Sequence, residues 1–419
     1  MNIFGYKHGE LYAERVPVRR LAERYGTPLY VYSRGHFEAQ YHTLHRAMAE
    51  VDPLICFSVK SNSNLSVIRT FADIGAGADI VSGGELYRLL QAGLDPSKAV
   101  FAGVGKTSEE IEFAIRENIL FFTVESEAEA VRISDSARSV GATARIAFRV
   151  NPDVNPDTHL YVSTGRKETK FGLDIERSLA ACERAAALPN IELAGIHMHI
   201  GSQILAPEPF AAALERVAPL CMRLRSLYSS VRYLDIGGGL GISYHSGQAP
   251  LDPARYASAV VPVLKEIGLS VVLEPGRFLV GNGGLLVCRV QYVKDNAFRK
   301  FLIIDAGMND LIRPSLYEAH HDVLPVRHTD RTCRADLVGP ICETGDFIAL
   351  DRELPCSEQG DLLAIASAGA YGFTMSSNYN SRLRAAAVLV HGGRARLIRK
   401  REVFKDLVRG ELRPPRARQ

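Results

Sequence analysis

The chain has 419 residues, of which 47% are hydrophobic and 23% are charged, and its formal net charge is +3. These values are ordinary for a globular protein and suit two domains better than one. The slight charge gives no reason to expect a nucleic-acid partner, and no apolar run approaches the ~20 residues of a membrane span. Seven cysteines without a C-x-x-C pattern favour reduced thiols. Because no signal-peptide core follows Met1, we expect a cytoplasmic protein.

Short apolar runs alternate with helical patterns between about residues 52 and 276. Such runs are typical of parallel strands that are covered on both faces. Capping boxes predict helix starts at Ser82, Thr107 and Ser126. The candidate strands are 54–59, 78–81, 99–102, 119–124, 144–150, 191–200, 231–236 and 270–273. Eight strand–helix units predict a (β/α)8 TIM-like barrel, because a doubly wound sheet would explain fewer strands.

The pattern changes after Arg277. Strand-like runs are separated by Gly, Pro, Asn and Asp, and long helical patterns are scarce, which predicts an all-β domain. These runs are 285–293, 301–304, 335–338, 362–366 and 387–390. We therefore predict an N-terminal segment at 1–35 that joins the β domain, a barrel at 36–278 and the β domain at 279–419.

Lys60 follows the first apolar run of the predicted barrel. Active sites of such barrels lie at the carboxyl ends of the strands. A lysine that is desolvated there has a lowered pKa, which favours the neutral amine that forms a Schiff base. A lysine at a strand end more often simply extends its ammonium to water, so Lys60 alone decides nothing.

Three glycines, Gly237 to Gly239, follow Asp235 at the end of the seventh run. Without Cβ atoms, their backbone can approach an anion and present N–H groups, and barrels often bind phosphate at this position. A tight turn packed under a helix is one alternative. A dinucleotide-binding fingerprint is another, but the final glycine spacing is missing and the motif lies in the seventh strand–loop unit.

Glu274 ends the eighth run. A carboxylate beside a pyridine nitrogen keeps that nitrogen protonated, and the ring is then a strong electron sink. His199, near the end of the sixth run, is either a flat partner for such a ring or an ordinary core histidine. A lysine for the Schiff base, a glycine cradle and an acid together predict pyridoxal 5'-phosphate as the cofactor. We assign no residue to a metal ion.

The chain resembles the fold-type III pyridoxal-phosphate decarboxylases, and most closely the diaminopimelate decarboxylase family, from about Thr27 to Leu407. The markers are Phe57-Ser-Val-Lys-Ser-Asn62, His197-Met-His-Ile-Gly-Ser-Gln203, Asp235-Ile-Gly-Gly-Gly239, Glu274-Pro-Gly-Arg277, Met308-Asn-Asp-Leu-Ile-Arg-Pro-Ser-Leu-Tyr317, Cys342-Glu-Thr-Gly-Asp346 and Gly369-Ala-Tyr-Gly372. Two departures are Ser58, where alanine or proline is usual, and Ala387, where an acidic residue is expected.

The resemblance implies roles for these residues. Lys60 would form the Schiff base, His199 would stack on the ring, and Glu274 would face the ring nitrogen. The implied cofactor site consists of Lys60, Asp79, His199, Ser202, Gly238, Gly239, Glu274, Gly276, Arg277 and Tyr371. The implied substrate contacts are Arg277, Arg313, Tyr317, Glu343 and Tyr371.

Cys342 would donate the proton that replaces the lost carboxylate. In the family, Cys342 and Glu343 reach the site from a second subunit, which implies a homodimer with shared sites. Cys333 and Cys356 receive no role.

The implied reaction is the decarboxylation of meso-2,6-diaminopimelate to L-lysine and CO2, the last step of lysine biosynthesis. The far end of that substrate carries a carboxylate and an ammonium, for which Arg277, Arg313 and Glu343 offer partners. The nearest alternative is decarboxylation of another amino acid, of the ornithine, lysine or arginine type or a siderophore precursor. Two others are an alanine-racemase-like enzyme, which places arginine at the ring nitrogen, and a non-catalytic cofactor-binding short barrel.

Overall fold

The computed structural model describes residues 3–154 and 171–412. The chain forms two compact units. The β unit consists of Met1–Ser33, Gly284–Ala368 and Met375–Gln419, and the barrel unit consists of Arg34–Gly283 and Gly369–Thr374. Within the described ranges, no helix is both long enough and apolar enough to cross a membrane.

The N-terminal part of the β unit begins with a small antiparallel sheet of three strands. Its elements are β1 (Phe4–Lys7), β2 (Glu10–Ala13), β3 (Val16–Pro17), α1 (Val18–Tyr25) and β4 (Leu29–Ser33). Strand β4 is buried at every position, which identifies it as an interior strand of a larger sheet.

The barrel unit alternates strands and helices. In chain order its elements are α2 (Arg34–Ala47), β5 (Leu54–Ser58), α3 (Leu65–Asp73), β6 (Gly77–Ile80), α4 (Gly83–Ala92), β7 (Ala99–Phe101), α5 (Ser108–Arg116), β8 (Phe121–Val124), α6 (Glu127–Ser139), β9 (Ala144–Asn151), β10 (Leu173–Asp174), α7 (Ile175–Ala186), β11 (Ile191–His197), α8 (Glu208–Leu227), β12 (Tyr233–Asp235), α9 (Pro253–Ile267), β13 (Ser270–Leu273) and α10 (Arg277–Val280).

Eight of these strands, β5 to β9 and β11 to β13, pair in parallel around a closed barrel. The pairing of β13 with β5 closes the ring. Inside it, a layer of buried side chains from six of the strands packs together, so the barrel is filled rather than open. That layer consists of Cys56, Val100, Phe121, Ala147, Ala194 and Val272. The predicted barrel is confirmed, with each apolar run matching one strand.

Three helices of the barrel unit begin at predicted caps. The Thr107 hydroxyl accepts a hydrogen bond from the Glu110 N–H, and the Glu110 carboxylate accepts one from the Thr107 N–H. The predicted capping box is therefore complete at this helix. At Ser82 and Ser126 the hydroxyl accepts as expected. The carboxylates of Glu85 and Glu129, however, accept the N–H of the residue before the cap, which is Val81 in the first helix and Glu125 in the second. These two helices therefore fix one more residue of the preceding strand end than a standard capping box does.

The rest of the β unit is built around a mostly antiparallel sheet in the order β18-β17-β15-β14-β4-β20-β21. Its remaining elements are β14 (Gly284–Asp295), β15 (Lys300–Ile304), α11 (Arg313–Tyr317), β16 (Val323–Pro325), β17 (Thr332–Val338), β18 (Phe347–Pro355), β19 (Leu362–Ile365), β20 (Ala386–His391), β21 (Arg394–Arg399) and α12 (Phe404–Leu407). The N-terminal β4 lies in the middle, antiparallel to β14 and parallel to β20. The predicted β domain is confirmed as a mostly-β unit, which also contains the helices α1, α11 and α12.

A buried ion pair links the loop after β7 to strand β8 and helix α6. The Lys106 ammonium donates to the carbonyls of Gly103 and Thr123, each at 2.7 Å, and to Glu129 Oε1 at 2.8 Å. The side chains of Lys106 and Glu129 are only 1% and 10% exposed. Because this ion pair has little access to water, removing one partner leaves a buried charge uncompensated.

We expect Lys106→Met to lower the free energy of unfolding by about 3 kcal/mol or more, because it leaves Glu129 buried without its cation. Urea titration of the purified variant measures this. The matched control is Arg184→Met, which breaks an exposed ion pair with Glu127, a residue on the same helix as Glu129. This change should leave the free energy of unfolding essentially unchanged. Equal losses in the two variants would show that burial of the pair is not the deciding factor.

Candidate active site

A cavity of about 350 Å³ lies where the carboxyl ends of the barrel strands meet. Its polar lining comes from many of the strand ends and following loops. These residues are Ser58, Lys60, Arg149, His197, His199, Ser202, Glu274, Arg277 and Tyr371, and the backbone of Gly239 and Gly276 completes the wall. Most of these residues belong to the predicted cofactor site. Asp79 and Gly238 contact lining residues from behind.

Lys60 lies just beyond β5, in a 3-10 turn over Val59–Ser61. Its Nζ is 2.5 Å from Oδ2 of Asp79, a fully buried carboxylate that also accepts from Ser58 Oγ at 2.5 Å. Ser58, one of the two departures from the family pattern, thus holds the same carboxylate that holds the lysine.

The expected lowering of the Lys60 pKa is wrong. Burial does lower this pKa, but the carboxylates of Asp79 and Glu274 oppose it and raise the pKa above its usual value. The side chain is 41% exposed and lines the cavity. The resting lysine is therefore a cation, and Schiff-base formation requires it to lose a proton, for which Asp79 is the hydrogen-bonded acceptor.

The glycine turn after β12 brings backbone very close to its neighbours. A Cβ added at Gly238 would lie 2.2 Å from the Glu274 carbonyl oxygen, and one at Gly239 would lie 2.5 Å from the Gly201 oxygen. Gly239 also has a φ of +106°, in the region that favours glycine. Only glycine fits these positions, and Gly239 presents its backbone directly to the cavity.

His199 is a neutral imidazole. Its pKa is lowered to about 3, first by burial and then by the nearby Arg149 cation. The Gly238 N–H donates to its Nδ1 at 3.3 Å, which leaves the ring proton on Nε2. A neutral, fixed ring that lines the cavity suits a stacking role.

Arg277 is almost fully buried and held from several sides. It donates to Ser202 Oγ at 2.9 Å and to the Tyr244 hydroxyl at 2.5 Å. Its guanidinium also lies 4.9 Å from the centre of the Tyr371 ring, a cation–π distance. Tyr371 in turn donates its backbone N–H to Ser61, beside Lys60. Arg277 is thus a fixed cation in the wall of the cavity.

Glu274 supplies a buried negative charge. It is 7% exposed, and its Oε2 lies 3.3 Å from Nε2 of His197. Burial alone would raise its pKa, but His197 and Lys60 outweigh burial and hold the pKa well below its usual range. Glu274 is therefore ionised at neutral pH, as a partner for a protonated ring nitrogen must be.

Sequence reasoning missed Arg149, a lining residue on β9. It is 6% exposed, donates to Glu125 Oε1 at 2.9 Å and lies 4.5 Å from the Phe171 ring centre. Within the described part of the chain, its NH2 group has no hydrogen-bond partner. The available signal was a second arginine near the carboxyl end of a mostly apolar strand.

The predicted substrate residues of the β unit lie on two short segments. Helix α11 begins at Arg313, which is 6% exposed, and ends at Tyr317. Cys342 and Glu343 are exposed on the loop between β17 and β18. The two segments are neighbours, because Ser315 of α11 donates its hydroxyl to a carbonyl of that loop at 2.6 Å.

Asp346 fixes the shape of this loop. Its two carboxylate oxygens accept the backbone N–H groups of Met308 and Ile341, both at 2.6 Å. The Cys342 N–H donates to Asn380 Oδ1 at 2.8 Å. The loop is therefore held at both ends while the Cys342 and Glu343 side chains remain exposed.

The cavity fits pyridoxal phosphate. It combines a lysine, a neutral imidazole, an ionised buried acid and a glycine turn whose backbone lies open to a ligand. Among the described residues, the buried NH2 of Arg149 lacks a hydrogen-bond partner, and a polar cofactor would provide one.

Comparison with known proteins gives the same assignment. The profile of the family "Pyridoxal-dependent decarboxylase, pyridoxal binding domain" matches residues 34–281. A diaminopimelate decarboxylase of Pseudomonas aeruginosa is 51% identical over 98% of this chain and 99% of its own length. One from Aquifex aeolicus is 48% identical over 97% of each chain. The chain therefore belongs to the pyridoxal-dependent decarboxylases and, within them, to the diaminopimelate decarboxylase family.

Solved structures agree over nearly the whole chain. A diaminopimelate decarboxylase from M. jannaschii in co-complex with L-lysine has a TM-score of 0.94 at 36% identity, covering 99% of this chain and 98% of its own. One from Helicobacter pylori complexed with L-lysine has a TM-score of 0.90 at 40% identity, covering 94% and 98%. A barrel with an added β unit is thus the shared architecture.

We expect Gly239→Ala to weaken pyridoxal phosphate binding about tenfold or more, because the new methyl group collides with the Gly201 carbonyl in a strained backbone. Titration of cofactor-free protein, followed by absorbance, measures the dissociation constant. Gly84→Ala is the control, since its Cβ meets no atom closer than 3.7 Å. Unchanged binding in Gly239→Ala would mean that the turn does not hold the cofactor.

Proposed function

We propose that this chain decarboxylates meso-2,6-diaminopimelate to L-lysine and CO2, as the last step of lysine biosynthesis. The observation that carries the proposal is that Lys60 and Glu274 line the same cavity. Lys60 is a cation bonded to the buried carboxylate of Asp79, and Glu274 is an ionised acid. Relatives named diaminopimelate decarboxylase, aligned over nearly the full length, support this choice of substrate.

The cavity residues would bind the cofactor in a defined way. Lys60 would hold its carbonyl carbon, Glu274 its ring nitrogen and the glycine turn its phosphate, while His199 would cover one face of the ring. Bound pyridoxal phosphate supplies the electron sink for the carbanion left by CO2. Glu274 would keep that sink effective by remaining ionised, and Asp79 would accept the proton that Lys60 loses. Alanine-racemase-like enzymes of this fold place arginine at the ring nitrogen. The buried Glu274 therefore argues against an alanine-racemase-like activity.

The β unit would supply part of the substrate site. In this proposal residues 36–278 bind the cofactor, whereas residues 279–419 supply contacts to the substrate and the second subunit. Arg277 and Arg313 provide planar guanidinium groups for the distal carboxylate, and Glu343 provides an anion for the distal ammonium. A substrate with only an ammonium at its far end would be repelled by these arginines, which disfavours the ornithine and lysine alternatives. Tyr317 and Tyr371 complete the proposed contacts.

The active enzyme would be a cytoplasmic homodimer with shared sites. Cys342 and Glu343 are exposed on a loop that Asp346 fixes, which suits residues that serve a partner's site. The barrel cavity, as far as it is described, holds no thiol in its lining. A proton donor to the α-carbon must then come from elsewhere, and Cys342 of the second subunit is the proposed source.

Product analysis tests the proposed reaction. Protein loaded with pyridoxal phosphate should release CO2 and L-lysine from meso-diaminopimelate, and Lys60→Ala should abolish nearly all turnover. The competing substrates are L-lysine, L-ornithine and L-arginine at equal concentration. Faster turnover of any of these than of meso-diaminopimelate would overturn the substrate assignment while leaving the decarboxylase chemistry in place.

Mixing two inactive variants tests the shared site. In a mixed dimer of Lys60→Ala and Cys342→Ala chains, one site carries both lesions and the other carries neither. Half of the dimers in a statistical mixture are mixed, so activity should return to about a quarter of wild type when the sites act independently. No recovery after demonstrated subunit exchange would place Cys342 in the site of its own chain or outside the reaction.

A further inference from the structure

Three acidic and basic side chains cluster behind the cavity at the ends of neighbouring barrel strands. His197 ends β11, Asp235 ends β12 and Glu274 follows β13; their exposures are 1%, 0% and 7%. The parallel register pairs His197 directly with Asp235, and the Glu274 N–H donates to the Gly237 carbonyl. One ligand atom from each residue lies within 4.8 Å of the others. The barrel itself therefore forces two carboxyl groups together away from water.

The hydrogen bonds of the two carboxyl groups are incomplete. Asp235 Oδ1 accepts the Gly237 N–H at 2.8 Å, and Glu274 Oε2 contacts His197 Nε2 at 3.3 Å. Their other oxygens, Asp235 Oδ2 and Glu274 Oε1, have no donor among the residues that the structure describes. One oxygen of Asp235 and one oxygen of Glu274 lie within 4.8 Å of each other. A single proton between these oxygens would satisfy both, since buried polar atoms are nearly always paired.

The charges around the pair decide which group holds that proton. Glu274 lies beside His197 and near Lys60, and both neighbours lower its pKa and so favour its ionised form. Asp235 is fully buried, and the charged groups that raise its pKa, Glu274 and Asp79, are both acidic. Burial and the Glu274 charge raise the pKa of Asp235 well above its usual value. Two carboxylates so close together cannot both ionise, so the proton belongs on Asp235.

We propose that Asp235 is a neutral carboxylic acid that donates its hydrogen bond to Glu274 and, together with His197, fixes Glu274 as the single anion facing the ring nitrogen of the cofactor. Asp235 is thus a positioning residue, which acts through Glu274 and does not touch the substrate. Only the orientation of the cofactor rests on the proposed function. The shared proton is a property of the chain's own residues.

Substitutions at Asp235 separate a donated hydrogen bond from a negative charge. Asn keeps an oxygen for the Gly237 N–H and an amide donor for Glu274, whereas Ala removes both. We expect Asp235→Asn to bind pyridoxal phosphate within about threefold of wild type, and Asp235→Ala to bind it about tenfold or more weakly. Ala should also shift the absorbance maximum of the bound cofactor. Asp235→Asn behaving like Asp235→Ala would overturn the proposal, because the native residue would then be acting as an anion.

Infrared spectroscopy gives a second readout that does not depend on the Ala variant folding. The difference spectrum of wild type minus Asp235→Asn, near neutral pH, should contain the carbonyl band of a buried protonated carboxyl group. Its absence would overturn the proposal. A stoichiometric divalent metal in wild type that is lost in Asp235→Ala would do so too, since a metal ion needs the ionised carboxylate. Neither readout involves decarboxylation, so failure of the proposed reaction remains distinguishable.

Discussion

A carboxylate buried at the end of the last barrel strand is the constraint on which the site depends. Glu274 is 7% exposed, and an ion so far from water is stable only when nearby groups compensate its charge. The chain places His197 against it and Lys60 close to it. These groups are there because Glu274 must stay ionised, and an ionised acid is what a pyridine ring needs to act as an electron sink.

The same requirement explains why the lysine is not the desolvated neutral amine that its position suggested. In a cavity that already contains Glu274 and Asp79, a cation at Lys60 is favoured over a neutral amine. The site is therefore balanced by paired charges in its resting state. A proton must be redistributed when the cofactor binds, and Asp79, held by Ser58, is placed to take part.

Most of the fold was predictable because buried parallel strands read as continuous apolar runs, and each run became one strand of the barrel. Strands β18 and β21 escaped prediction because they occupy the edges of their sheet, where charged residues such as Arg352 and Arg396 are tolerated. Residues at strand ends, such as Lys60 and Glu274, were predicted from their position. The site position of Arg149 and the close approach of Asp235 to Glu274 were not predicted. Both depend on which strands become neighbours when the barrel closes and on which side chains then share buried space.

The most direct test of the account is to trap the cofactor on the chain. Protein loaded with pyridoxal phosphate is reduced with borohydride, digested and analysed by mass spectrometry. The account predicts one modified peptide, with the pyridoxyl group on Lys60, and no modified peptide from Lys60→Ala. A pyridoxyl group on a different lysine, in wild type or in Lys60→Ala, would contradict it.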